Sequence, residues 1–215
     1  MSIYANAVRL HLSRLHLIEP IADRLKADPL ALVAVLAVEC GSSTGLGKHG
    51  PVVRFETHIF KRYVSAMVWQ KYFKCHVSQP WRDQYFRWDV NEAWRAVHVD
   101  QGSEYLALDL AATIAPEAAH RSASHGIAQI MGFHFERLGY PDALTMHSAY
   151  KSEATQLSDF GTFIETSTDN GVILLGALRA KDWPSFGRGY NGPGKAKAYG
   201  ERLSEAYRLA CHGAG

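Results

Sequence analysis

A chain of 215 residues can bury one sizeable core, or at most two small ones. Its 47% hydrophobic and 20% charged residues are ordinary for a globular protein. A net charge of +2, with 23 Lys and Arg scattered and no basic stripe, argues against a nucleic-acid-binding surface. The longest apolar run is too short to insert in a bilayer, and Met1 to His11 lacks the charged start and long apolar stretch of a secretory signal. Cys40, Cys75 and Cys211 are odd in number and widely spaced, with no CxxC or HExxH pattern. Free thiols in a reducing compartment are therefore expected, and neither a structural zinc nor any other metal.

In chain order, residues 1–27 are expected to form an N-terminal helix as a peripheral extension. Asp28-Pro29, a capping residue followed by proline at the first helical position, then opens an apolar helix from Pro29 to Glu39 that Gly41 stops. Residues 41–50 read as a glycine- and serine-rich loop, and Pro51 to Phe55 as a short β-branched strand. Helical spacing returns from His58 to Phe73. The aromatics after Pro80 (Trp81, Tyr85, Phe86, Trp88, Trp94) are expected in the core, with one or two offering a ring face to a sugar. Short helices are predicted over Glu104–Thr113 and Pro116–Ser122, and a longer one over Glu153–Ile164 after Ser152. Asn170–Ala180 reads as buried, Asp182–Gly189 as a short helix or turn, and Lys195–Cys211 as a closing amphipathic helix. The economical fold is one mainly α domain spanning 1–215, with at most a small β hairpin near residues 45–57.

Glu39 is the most informative single residue. Its carboxyl group ends an apolar helix, shares a face with Val35 and Leu36, and feels the negative end of the helix dipole. Desolvation and dipole both raise its pKa, and a carboxylic acid neutral near pH 7 is what protonates a leaving oxygen in glycoside cleavage. Read alone, it is also a helix-end carboxylate pointing at water. Two further segments, Ser124 to Met131 and Gly189 to Gly194, combine glycine with polar side chains that core packing does not require. Gln129 and Asn191 each offer a donor and an acceptor suited to sugar hydroxyls and acetamides.

The order of these segments resembles, loosely, goose-type lysozymes and soluble lytic transglycosylases. More closely, the chain resembles the N-acetylmuramidase family of phage endolysins. The matching stretches are Val38-Glu-Cys-Gly41, Arg54-Phe-Glu-Thr-His-Ile-Phe60, Arg121-Ser-Ala-Ser-His-Gly-Ile-Ala-Gln-Ile-Met-Gly-Phe133 and Phe186-Gly-Arg-Gly-Tyr-Asn-Gly-Pro-Gly194. The resemblance runs over residues 25–210, apart from 64–100. Three positions depart from it: Cys40 stands where serine is usual, His125 replaces an aromatic, and Ala128 replaces a larger side chain.

The resemblance implies a mainly α, lysozyme-like fold and a peptidoglycan hydrolase without cofactor. Glu39 would be the general acid at the β-1,4 bond between N-acetylmuramic acid and N-acetylglucosamine. Glu56 would be the second catalytic carboxylate, or else a structural partner of Arg54 or His58. Ser124, Gln129 and the backbone at Ile130 and Met131 would hold an N-acetyl group, and Tyr190 and Asn191 would line the groove or orient Glu39. Asp109, Glu117, Glu136 and Asp142 read as solvated or capping residues. The partners implied are peptidoglycan glycan strands, with no nucleic acid and no membrane insertion, and a monomer is expected. Such an enzyme is made in the host cytoplasm and reaches the periplasm once the membrane is permeabilised. A lytic transglycosylase leaving 1,6-anhydro ends, and a non-catalytic glycan-binding or phage structural module, are the alternatives. Ser122, Ser124 and His125 cluster, but no Gly-x-Ser-x-Gly elbow surrounds them.

Overall fold

The computed structural model describes residues 4–41, 43–169 and 171–213. Ser42, in the loop after Glu39, and Asn170, at the head of the apolar segment, lie outside the described residues. Residues 1–44 and 153–215 form one compact unit, and residues 45–152 form the other.

The first unit begins with α1 (Ala5–Leu12), α2 (Leu15–Leu25) and α3 (Pro29–Glu39). Asp28 starts α3 as the sequence predicts: its Oδ1 accepts the Leu30 N–H at 2.9 Å. Its Oδ2 accepts the Tyr207 hydroxyl at 2.6 Å, and the Lys181 ammonium lies 3.3 Å away. Ala31 through Ala37 are all buried, because a helix apolar on every side must be enclosed. Ala7, Val8 and His11 bury one face of α1, and α1 packs against α3.

The second unit opens with a hairpin of β1 (Leu46–Gly47) and β2 (Gly50–Pro51), followed by β3 (Val53–Phe55), α4 (Thr57–Phe60) and α5 (Ala66–Tyr72). β4 (Phe73–Lys74), β5 (Tyr85–Phe86) and β6 (Arg95–Ala96) make a three-stranded antiparallel sheet. Next come α6 (Gln101–Ile114), α7 (Pro116–Arg121), β7 (Ala123–His125), β8 (Ile130–Met131) and α8 (Ala143–Ala149). β7 lies between β3 and β8, with Val53 opposite His125 and Ser124 opposite Met131. Phe55, Phe60, Phe73, Phe86, Val97 and Leu108 form the centre of this unit's core. Phe60 and Phe73 meet edge to face at 5.4 Å.

The chain then re-enters the first unit with α9 (Glu153–Thr166), β9 (Thr168–Asp169), β10 (Val172–Ile173), α10 (Leu174–Ala180), α11 (Trp183–Asn191) and α12 (Ala196–Gly213). Tyr199, Leu203, Ala206 and Ala210 are the buried side of α12, which packs on both α3 and α11. The α11–α12 approach is close enough to require glycine. A Cβ on Gly200 would stand 2.9 Å from the Pro184 nitrogen, and one on Gly187 would stand 2.9 Å from the Ala196 carbonyl.

The mainly α, lysozyme-like class holds, with small sheets of two or three strands and no helix among the described residues long and apolar enough to cross a membrane. Several local expectations change. The helical stretch from His58 to Phe73 divides into α4 and α5, and the apolar segment before Ala180 starts as β10 with Ile173 exposed. Of the aromatics after Pro80, Phe86 enters the core, whereas Trp81 is 58% and Trp88 37% exposed. Asp142 caps α8 through the Thr145 N–H, and Glu117 accepts the Ala143 and Leu144 N–H groups, so capping is the correct reading for both. Replacing Asp28 with alanine removes the α3 cap and the Tyr207 acceptor together. The expected outcome is a stability loss of about 1–2 kcal/mol, read as a lower urea midpoint, and an unchanged midpoint would contradict the capping role.

Candidate functional site

Glu39 is the last residue of α3, and α11 and α12 supply what surrounds it. The Tyr199 hydroxyl of α12 donates a short hydrogen bond to Glu39 Oε1, and the Asn191 side chain at the end of α11 bonds the same carboxyl group. The residue keeps some contact with solvent, but protein atoms crowd its carboxyl. Desolvation raises the pKa from 4.5 to about 7, and the bonds from Tyr199 and Asn191 only partly oppose it. The Tyr199 phenol is itself buried and held well above its ordinary pKa, by desolvation first and by Glu39 second, so it remains a donor.

Tyr190 stacks between two rings, 5.4 Å from Phe186 and 6.2 Å from Tyr199, with Phe163 against its edge at 5.7 Å. It thus braces the tyrosine that bonds Glu39. Cys40, in the place of serine, turns its thiol to the Leu36 and Ser43 carbonyls, each 3.2 Å away, with His11 Nε2 at 3.5 Å. Burial pushes that thiol up to about 12, so it is an inert donor. His11 Nε2 also lies 3.1 Å from the Gly41 carbonyl, so α1 helps shape the turn after Glu39.

In the second unit, Ser124 Oγ donates to Gln129 Oε1 at 2.8 Å, and Gln129 Nε2 donates to the Gly126 carbonyl at 2.8 Å. Gln129 has φ +49°, a left-handed conformation that this pair of bonds holds. Ile130 and Met131 form β8, the outer strand of its sheet, whose far edge pairs with no other strand among the described residues.

Glu56 precedes α4 and is crowded with donors. Oε1 accepts Arg54 Nε at 2.9 Å, and Oε2 faces His58 Nδ1 at 3.3 Å and His98 Nε2 at 3.9 Å. Gln84 Nε2 donates to the same Oε2, while Gln84 Oε1 accepts the Thr57 N–H at 2.6 Å. Burial alone would raise the pKa of Glu56. The bonds from His58 and Gln84, with the charges of Arg54 and His98, outweigh it and hold the carboxyl below its ordinary value. The two acidic residues therefore differ in charge state at neutral pH.

The structure thus joins Glu39 with Asn191, Ser124 with Gln129, and Glu56 with Arg54 and His58. Sequence reasoning missed Tyr199, Gln84 and His98. The one general signal for Tyr199 is that a tyrosine on the apolar side of a helix must find a partner for its hydroxyl.

The model of the N-acetylmuramidase family matches residues 28–210. No curated protein sequence matches the chain. Among solved structures, the crystal structure of a Burkholderia AP3 phage endolysin is similar at 30% identity and a TM-score of 0.70, covering 92% of this chain and 71% of that one. α1 and α2 precede the family match.

A carboxyl group with a pKa of 4.5 unfolded and about 7 folded stabilises the fold fully below pH 4.5, and that contribution is lost as pH rises through 7. The difference corresponds to something on the order of 3 kcal/mol. Glu39→Gln removes the buried charge, so it is expected to raise Tm at about pH 8 and to change it little at about pH 4. A variant that melts lower at pH 8 would show that Glu39 is not desolvated.

Proposed function

The chain belongs to the N-acetylmuramidase family, and from that premise we propose that it is a phage endolysin cleaving the β-1,4 bond between N-acetylmuramic acid and N-acetylglucosamine. One observation carries the reading: burial pushes the Glu39 carboxyl up to about 7, so about half of the molecules keep the acid proton at neutral pH, against well under a hundredth for an ordinary glutamate. In the proposed reaction its acid proton passes to the glycosidic oxygen as the C1–O bond breaks, leaving an oxocarbenium-like muramic acid. The resulting carboxylate then takes a proton from the water that attacks C1. Tyr199 and Asn191 hold the carboxyl in place throughout and limit its charge cost.

Of the residues the resemblance gives to substrate binding, Ser124 and Gln129 bond each other, Tyr190 and Asn191 serve Glu39, and Ile130 and Met131 remain. Gln129 is committed to its own turn, so the open edge of β8 is the better candidate for an acetamide, through backbone groups. Tyr190 acts through Tyr199 as a positioning residue. The whole chain works as one catalytic domain, a reading supported by a family match that runs through both units. The enzyme acts on peptidoglycan in the periplasm after membrane permeabilisation, as endolysins do.

Glu56 bears on a second route. Its donors keep it ionised and occupied, which disfavours it as a nucleophile. A single acid/base then suffices if the muramic acid's own C6 hydroxyl attacks C1 and leaves a 1,6-anhydro ring, the transglycosylase outcome.

Mass spectrometry of digested peptidoglycan separates the routes: reducing muramic acid ends are expected, anhydro ends would establish the transglycosylase, and reducing N-acetylglucosamine would refute the bond assignment. Glu39→Gln is expected to lower turnover by about 10²–10⁴, with wild-type activity falling above pH 7 as Glu39 loses its proton. Activity of that variant within tenfold of wild type would remove the central claim. Glu56→Gln is expected to lower Tm while keeping turnover within about tenfold, since removing a general acid or base typically costs more. A loss as large as that of Glu39→Gln would instead make Glu56 a reacting group.

A further inference from the structure

Three histidines of the 45–152 unit converge from three different elements: His120 from α7, His125 from β7 and His147 from α8. One ring nitrogen from each lies within 4.8 Å of the other two. The His147 ring centroid is 4.5 Å from that of His120 and 5.0 Å from that of His125. The spacing of 120, 125 and 147 is far from an HExxH pattern.

The hydrogen bonds fix where the lone pairs point. His125 Nε2 lies 3.0 Å from the His120 carbonyl, which can only accept, so Nε2 carries the proton and Nδ1 keeps its lone pair. That Nδ1 faces His147 Nδ1 at 3.1 Å. The buried Nδ1 of His120 has no hydrogen-bond partner. An enclosed cluster of nitrogens with one left unpartnered is costly as a packed core and well suited to a cation.

We propose that His120, His125 and His147 form a structural site for a divalent transition metal of the zinc class, with a water molecule in the fourth position. Two imidazoles on a tetrahedral zinc, with bonds of about 2.0–2.1 Å, hold their nitrogens about 3.3 Å apart. The His125–His147 pair is already at that separation. Rotation of His147, the one half-buried ring of the three, closes the wider side. Neutral imidazole suits zinc, copper and nickel. The His125 bond to the His120 carbonyl is the outer contact that fixes a ligating ring. Gly132 makes room for that arrangement, because a Cβ there would stand 2.0 Å from the His120 carbonyl oxygen and 3.1 Å from His125 Nε2. The metal would tie β7, which carries Ser124, to α7 and α8. The site does not depend on the glycan chemistry proposed above.

The test titrates the chelator-stripped full chain with zinc alone by calorimetry, with Co²⁺ absorption as a second readout. One equivalent binding with micromolar or tighter affinity, a raised Tm, and a Co²⁺ spectrum of tetrahedral nitrogen ligation are expected. His147→Gln, and His125→Trp, which puts an aromatic at this position, are each expected to weaken binding about 100-fold or more, since even outer-shell changes cost 10–100-fold. Absence of a stoichiometric site, binding unchanged in both variants, or the Co²⁺ spectrum of the hydrated ion would overturn the proposal. Should either variant fail to fold, the wild-type Co²⁺ spectrum decides.

Discussion

The hydrogen bond from Tyr199 to Glu39 joins two groups that could not be buried separately. A phenol in an apolar surround needs an acceptor, and a carboxyl at the end of an all-apolar helix needs a donor. Their pairing sets how α12 lies on α3. Gly187 and Gly200 then let α11 come close enough to α12 for Asn191 to reach the same carboxyl. The Tyr190 ring fills the space beside Tyr199, so the aromatic stack serves as packing and as a positioning device for one oxygen atom.

Two glutamates placed in contrasting surroundings illustrate how little the residue type determines. Glu39 is desolvated and has few donors, so it gives up its proton only around neutrality. Glu56 is also buried, yet Arg54, His58, Gln84 and His98 supply enough donors and charge to keep it ionised. Environments that drive like groups apart in this way are how proteins divide acid from base. The difference comes from His58 and Arg54, its near neighbours in sequence, together with Gln84 and His98, which lie far from it.

What could be read from the sequence follows the range of the forces involved. α3 was legible to the residue because Asp28, Pro29 and the apolar run act locally, whereas the burial that raises the pKa of Glu39 depends on α11 and α12, which the helix alone does not specify. The two-residue strands β4, β5 and β6 were not legible, since two residues carry no period. Which of the aromatics after Pro80 stay exposed, Trp81 and Trp88, was not legible, because ring size signals burial only when a partner surface exists. Tyr199 and the histidine cluster are products of tertiary packing: their members sit 160 residues from Glu39 in one case and on three separate elements in the other. The motif around Ser124 was visible, but its internal bonding was not, because Gln129's left-handed backbone is set by the turn it braces.

The unit that carries Glu39 is discontinuous, interrupted by the whole of residues 45–152. During synthesis the inserted unit is complete, and free to fold by itself, before the outer unit has received α9 to α12. α3, with its seven consecutive buried residues, has α1 and α2 at hand but must wait for α12, encoded after the inserted unit. Tyr199 emerges 160 residues after Glu39, and Asn191 shortly before Tyr199. Until they arrive, the Glu39 carboxyl lacks part of the packed surround that desolvates it and both side chains that bond it. The fold thereby ties the proton affinity of Glu39 to the completion of its own unit.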